Sequence, residues 1–318
     1  MSDNSKISVA DPELADQSMR NRVRGFAAGV ASGITKLAVG HPFDTVKIRL
    51  QTTSKSHFKG PLDCLLKTLK NEGPTALYKG ATPPLIGWMF MDSIMLGTLH
   101  NTRLFLQNNW NGKDKPLSLF QHGLAGLAGG LTVSFVATPV EHIKARLQVQ
   151  YNNGKTKVYK GPIDCVRKVV KNNGIFGLWQ GLTPTMLFRS WFFVFWSSYE
   201  IFTRELKKRT SLDAGSISFI AGGGSATAFW LGAFPADMVK NRFMTQPDVT
   251  PKLFPTPTSV AKYVYQTEGL RGFYRGFLPS FLRAFPTNAS AVFMFELVMR
   301  LLSVNNSRSN TDELSDEI

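Results

Sequence analysis

Cysteine is scarce in this chain, with two in 318 residues. Two thiols cannot build the disulfide framework of a small secreted fold. They sit at matched places, in Gly60-Pro-Leu-Asp-Cys64 and Gly161-Pro-Ile-Asp-Cys165, which speaks for duplication and not for a bridge. Acid is scarce as well: 22 Asp and Glu stand against 37 Lys and Arg, for a net charge of +15. The acids gather at the ends, with Asp3, Asp11, Glu13 and Asp16 at one and Asp312, Glu313, Asp316 and Glu317 at the other, so the body is more basic than the whole. A body of that sign suits an anionic membrane surface or nucleic acid. The N-terminus lacks the apolar run of a signal peptide and is too acidic for a cleaved transit peptide, so any organelle address is expected to be internal. A Gly-rich phosphate loop, a metal-ligand cluster and a nucleophile constellation are all missing. We therefore expect no enzyme activity, no metal and no cofactor. A clean hydrophobic 20-mer is missing too.

What the chain has is repetition. Pro42-Phe-Asp44-Thr-Val-Lys47, Pro139-Val-Glu141-His-Ile-Lys144 and Pro235-Ala-Asp237-Met-Val-Lys240 share one pattern, and their prolines lie 97 and then 96 residues apart. Three copies at a period near one hundred mark a triplicated architecture. Six mainly apolar stretches, 22–48, 81–106, 118–148, 182–205, 215–243 and 277–303, are each long enough to span a bilayer. Lys36, Asp92, His122, Arg189 and Arg283 interrupt them. Polar groups inside a span normally face a bundle interior or an aqueous cavity. The first, third and fifth spans carry small residues four apart, Gly29 and Gly33, Gly126 and Gly130, Gly222 and Ala226, a spacing that lets helix backbones approach closely in lipid. Between the two spans of each repeat lies a short amphipathic segment. It stops at Gly73, Gly174 or Gly269 and leads, through an aromatic-x-Gly corner, to a proline (Pro83, Pro184 or Pro279) at the start of the next span. Lys55, Lys67, Lys70, Lys79, Lys155, Lys157, Lys168 and Lys171 make these loops basic, which favours the inner face of a membrane and its anionic headgroups.

Over residues 22–303 these motifs resemble the mitochondrial carrier family. The family pattern adds a basic residue two positions after the lysine, here Arg49, Arg146 and Arg242, and a glutamine two further on, here Gln51 and Gln148 but Met244 in the third copy. The resemblance implies an all-α membrane protein: six transmembrane helices in three pseudo-symmetric two-helix repeats around a central cavity, with short amphipathic helices on the matrix side. It divides the chain into an acidic tail (1–20), repeats at 21–115, 116–212 and 213–305, and a second acidic tail (306–318). Pro42, Pro139 and Pro235 are expected to bend their helices toward one end. There Asp44 with Lys144, Glu141 with Lys240, and Asp237 with Lys47 are expected to close a ring that the resemblance identifies as the matrix gate, with Gln51 and Gln148 as braces. The same charges read locally are i,i+3 pairs within one helix, worth about 0.2–0.5 kcal/mol each. An opposite ring is expected to be incomplete: Tyr199-Glu200 and Phe295-Glu296 fit the family's aromatic-acid pattern, whereas the second span has Leu99-His100.

Substrate residues are expected near the middle of the spans. Arg283, in Leu-Arg-Ala-Phe-Pro, is similar to the Arg-Ala-x-Pro of carnitine and ornithine carriers and suits a substrate carboxylate. Trp230 also resembles a tryptophan of that branch and suits an ammonium. Asp92 stands one position beyond the glutamate of basic amino-acid carriers, which Met91 replaces here. Arg189 stands one position late in the fourth span, and Ser190 follows where that branch has an acid. The expected function is transport of an amino acid or a carnitine-type zwitterion or cation across the mitochondrial inner membrane by alternating access, as an antiport, by a monomer. Expected partners are a small metabolite and an anionic, cardiolipin-type lipid at the matrix-side helix ends, with no nucleic acid. A carrier of anionic metabolites or nucleotides, a membrane-shaping protein that moves no solute, and a soluble basic nucleic-acid binder are the competing readings.

Overall fold

The computed structural model describes residues 12–53, 57–111, 115–150, 158–248 and 251–315. Lys55, Lys155 and Lys157 lie outside the described residues, as do 1–11 and 316–318 of the acidic tails. Among the described residues all regular structure is helical. Each repeat supplies a long helix, a short one and a second long stretch. The first holds α1 (Pro12–Thr52), α2 (Pro61–Glu72) and α3 (Thr82–Leu106); the second α4 (Leu119–Val149), α5 (Pro162–Asn173), α6 (Leu182–Ser190) and α7 (Phe192–Arg209). The third holds α8 (Ala214–Met244), α9 (Pro257–Glu268), the short α10 (Leu270–Phe273) and α11 (Phe277–Ser315). The helices α1 and α11 run on into the stretches read from sequence as tails.

The local chemistry sets these limits. Proline opens α2, α5 and α9, where its missing N–H costs nothing. Gly73, Gly174 and Gly269 end them or follow them with φ of 80°, 68° and 65°, a left-handed backbone that glycine adopts without strain. Ser118 and Gln121 form a reciprocal cap on α4, and the Asp213 carboxylate accepts from the Gly215 and Ser216 amides at the start of α8. Pro42, Pro139 and Pro235 each sit inside an unbroken helix. The fourth span is the one that breaks. Trp191 N–H bonds the Phe188 carbonyl, an i,i+3 turn that separates α6 from α7.

The chain forms two compact units, 1–41 with 282–318, and 42–281. In the first, Ser32 Oγ donates to the Ala291 carbonyl at 2.8 Å. The Arg283 side chain lies against Gly40, where a Cβ would stand 2.8 Å from its Nε.

In the second unit, each short helix closes a small core against its own long helix. Cys64 packs with Val46, Leu50 and Phe58; Cys165 with Ile143, Leu147 and Val169; Val260, at the matching place, with Met238, Val239 and Val264. Burying a side chain of this size stabilises by about 1.5–3 kcal/mol. Burial also pushes both thiols up to about 11. The helix α4 packs tightly along its glycines. A Cβ at Gly126 would meet the Phe192 carbonyl at 2.6 Å, and one at Gly130 the Arg189 carbonyl at 2.5 Å. The small-residue reading holds there, whereas at Gly222 of α8 nothing in the second unit stands within 4 Å of a notional Cβ. By length and composition α4 and α8 are able to cross a membrane. Large apolar side chains such as Phe219, Leu187 and Phe120 point outward from the second unit, a surface that suits lipid.

Candidate functional site: a ring of charge at the proline end

Three glycine corners close the second unit into a cycle. Gly80 abuts Lys144 of α4, with the Lys144 carbonyl 2.9 Å from a notional Cβ; Gly181 abuts Met244 of α8 at 2.7 Å; Gly276 abuts Lys47 of α1 at 3.1 Å. Each repeat therefore leans on the proline helix of the next, and the third on the first. Their φ values of 74°, 103° and 86° exclude a side chain on conformational grounds as well.

Inside that cycle the six signature charges meet. Lys144 Nζ lies 2.7 Å from Asp44 Oδ2, Lys240 Nζ 3.0 Å from Glu141 Oε2, and Lys47 Nζ 2.7 Å from Asp237 Oδ2. Every one of these pairs joins two different repeats. One i,i+3 contact coexists with them, Lys240 to Asp237 Oδ1 at 3.2 Å. Gln51 Nε2 donates to Asp237 Oδ2 at 3.0 Å, and Gln148 Nε2 to Thr45 Oγ1 at 3.1 Å. In the third copy Met244 replaces the glutamine, and Asn241 does comparable work: its Nδ2 donates to Gln51 Oε1 at 2.7 Å and to Asp237 Oδ2 at 3.2 Å.

Two of the expected substrate residues reach this ring. Arg189 Nη2 donates to Glu141 Oε1 at 2.6 Å, so Glu141 holds two cations. The Lys47 ammonium lies 4.9 Å from the Trp230 ring centre, and Lys240 lies 4.5 Å from that of Phe188. Both distances are within cation–π range. Asp92 is exposed on α3, while Met91 beside it packs on Val133 and Ala137 of α4. The one-residue offset read from sequence thus separates a core position from an exposed one. Arg283 belongs to the other unit.

Outside the ring a second tier of charge fixes each signature arginine. Arg49 donates to both oxygens of Glu72, at 2.6 and 3.2 Å, and Lys79 Nζ lies 2.5 Å from Glu72. Burial alone would raise the Glu72 carboxyl; Arg49 and Lys79 more than offset that and hold it below the usual glutamate value. Arg242 lies 3.2 Å from Glu268, and Arg275 lies 3.7 Å from it.

The sequence that builds this ring matches the mitochondrial carrier protein family in three copies, over residues 19–110, 115–210 and 215–306. The chain belongs to the mitochondrial carrier family. It is a solute carrier of the mitochondrial inner membrane. Among its relatives, a mitochondrial substrate carrier family protein of Dictyostelium discoideum is 39% identical over 289 residues, covering 90% of this carrier and 98% of the relative. A glutamate/glycine mitochondrial carrier of Schizosaccharomyces pombe is 34% identical, covering 91% and 97%. A mitochondrial basic amino acids transporter of Bos taurus is 34% identical, covering 90% and 95%.

At the opposite end of the second unit the carrier is built differently. Glu200 pairs within its own helix with Arg204 at 2.7 Å, and His122 of α4 stands 3.7 Å from it. Arg103 of α3 stacks over Trp196 of α7 at 4.7 Å. Sequence reading passed over Arg103 because the acid expected before it is His100; its place four residues after Leu99 was the available signal.

Proposed function

We propose that this carrier exchanges amino acids by alternating access, with the inter-repeat ring as its matrix gate. The three pairs between repeats carry the reading: a contact that joins neighbours all around one end is one that closes that end. In this arrangement α1, α3, α4, α6 with α7, α8 and α11 form six spans around a cavity. The exposed bases of α2 and α5, Lys70, Arg167 and Lys171, meet anionic lipid on the matrix side. The protein works as a monomer.

The substrate enters the argument through Arg189 and Trp230. In the state described, Glu141 occupies the Arg189 fork and the Lys47 ammonium occupies the Trp230 face. An α-amino acid brings a carboxylate and an ammonium on one small body, and these compete for the same two places. Displacing Glu141 and Lys47 loosens two of the three ring pairs. Such differential binding is what a ligand needs to shift a conformational equilibrium. Arg283 and Asp92 contribute a further carboxylate contact and a contact for a cationic side chain. A bare anion or a nucleotide supplies only the first half of that exchange. The names of the relatives, glutamate/glycine and basic amino acids, fall in the same class.

The test is reconstitution of the purified chain into liposomes, with glycine, glutamate, arginine, lysine, carnitine and ADP varied inside and out. Uptake of one or more amino acids that depends on a counter-substrate is expected. Uptake of ADP with no amino acid transported would overturn the reading, and no uptake of any of them would favour a structural role in the membrane.

A further inference from the structure

The three repeats act as controls for one another in the second tier of charge, and the second repeat departs from the other two. Where the first has Glu72 and Lys79 and the third has Glu268 and Arg275, the second has Asn173 and Gln180. Its arginine keeps the family position without an acid of its own repeat to face. Arg146 is nonetheless paired as well as the others. Its Nη1 and Nη2 donate to the two oxygens of Asp248, at 2.5 and 2.8 Å. Asp248 lies just beyond α8, in the third repeat, and Asn173 Nδ2 donates to the same carboxylate at 3.2 Å. Arg146 Nη1 also donates to the Tyr159 hydroxyl at 2.9 Å, and Nε to the Met244 carbonyl at 3.2 Å. Its Nε stands 2.8 Å from His142 Nε2, which accepts, so the ring proton lies on Nδ1 facing the Leu178 carbonyl at 3.2 Å.

Geometry separates this pair from its two counterparts. The ion pairs Arg49–Glu72 and Arg242–Glu268 each lie within one repeat, and what their tier sends across a seam is a bond to a neutral carbonyl: Arg49 to Gln148, Lys79 to Gln150 and Arg275 to Thr53. Arg146–Asp248 spans two, and both carboxylate oxygens take part, the strongest form of such a contact. The guanidinium is 3% exposed and the carboxylate 15%. Burial alone would raise the Asp248 carboxyl, and Arg146 more than offsets it.

We propose that Arg146–Asp248 is a latch across the seam between the second and third repeats, which takes the place of an own-repeat ion pair and must part each time the matrix side opens. The proposal rests on the alternating-access reading but not on the identity of the solute. It makes the three seams unequal: the one between repeats two and three carries an ionic contact in addition to Glu141–Lys240.

A substrate-free experiment tests it. Met244 lies buried in this seam beneath Gly181. A cysteine placed there by M244C in the purified full-length carrier reports seam opening through its rate of reaction with a fluorescent maleimide. The parent with its two native buried thiols supplies the background, and its unfolding temperature is read with the same dye. D248N is expected to raise the labelling rate roughly ten- to a hundredfold, the effect of losing one hydrogen-bonded charged partner, and to lower the unfolding temperature. Adding N173E gives Arg146 an acid inside its own repeat. The unfolding temperature is then expected to recover while labelling stays fast. Should D248N alone fail to purify, the double variant decides by itself, since fast labelling at native stability is a property of a latch. Slow labelling in the double variant, or no change in D248N, would overturn the proposal and leave Asp248 as a local brace. A carrier that moved none of the amino acids tested would leave this measurement intact.

Discussion

The two ends of the second unit hold similar residues in opposite arrangements. At the proline end, Asp44, Glu141 and Asp237 each bind a lysine from another repeat, and the side chains of Asp237 and Lys240 are 3% and 6% exposed. At the other end, Glu200 binds Arg204 one turn along its own helix, and the Arg204 side chain is 39% exposed. A pair within a helix holds nothing together but that helix, and at such exposure it contributes about 0.3–0.5 kcal/mol. The first end is held by ion pairs between repeats; in the second unit the other end has a stack of Arg103 over Trp196 between repeats and an approach of His122 to Glu200 in their place. Under the function proposed here, the paired end is the one closed toward the matrix.

Removing one acid from each end tests that contrast most severely. Asp237→Asn leaves Lys47 and Lys240 short of a carboxylate in a buried setting, a change that costs about 3–5 kcal/mol. We expect a large fall in unfolding temperature and loss of exchange in liposomes. Glu200→Gln is expected to shift the unfolding temperature little. Comparable losses from the two variants would remove the distinction between the ends.

The next test stays at the paired end. Gln51 donates to Asp237 and accepts from Asn241, so Gln51→Ala leaves both buried polar neighbours short of a partner. The expected loss is about 1.5–3 kcal/mol, the range for a hydrogen bond to a charged group. Thermal unfolding measures it. Because the brace acts in the closed state, exchange at saturating substrate is expected to rise and not fall; a slower rate would mean that Gln51 serves the open state instead.

Much of this was legible in the sequence, and what was not has physical reasons. The threefold helical repeat followed from the motif period, and the helix stops at Gly73, Gly174 and Gly269 from a backbone requirement that only glycine meets cheaply. The spacing of Gly126 and Gly130 foretold a close approach because Phe192 and Arg189 carbonyls do press on them. The same spacing at Gly222 foretold nothing, since small size permits contact without compelling it. Trp191 was hidden for a related reason. A turn tightened by one residue leaves no mark in hydropathy, although it agrees with the one-residue offset around Arg189. The Arg146–Asp248 contact was beyond sequence reading altogether. Asn173 and Gln180 show that something is missing from the second repeat, but the acid that replaces it lies 102 residues from Arg146 and is brought there by the fold.

A smaller effect is expected at the edge of the ring, where it meets the residues proposed to bind substrate. Trp230→Leu removes an aromatic face worth about 0.5–2 kcal/mol to a cation. It takes that face from Lys47 and from the substrate ammonium alike, so the closed state weakens as binding does. Transport kinetics are expected to show a several-fold higher KM for amino acids with kcat held or raised. Arg189→Gln is expected to raise KM for every carboxylate substrate, with glycine affected as much as arginine. An effect of Trp230→Leu confined to kcat would place this ring in helix packing and outside the substrate's reach.

The smallest effect lies in acid and compares the second tier of charge between repeats. The carboxyls of Glu72 and Asp248 are both held below their ordinary values of 4.5 and 3.8. A group depressed in the folded state contributes stability that is fully present above its unfolded value and is lost as pH falls through the folded one. Detergent-solubilised carrier should therefore lose stability progressively below about pH 4.5, with Glu72 entering first and Asp248 later. Glu72→Gln is expected to flatten the upper part of that limb and Asp248→Asn the lower part, measured as unfolding temperature against pH. The two losses should add, because the pairs sit in different repeats and share no partner. Strong non-additivity would mean that the seams communicate, and that the latch between the second and third repeats is felt at the first.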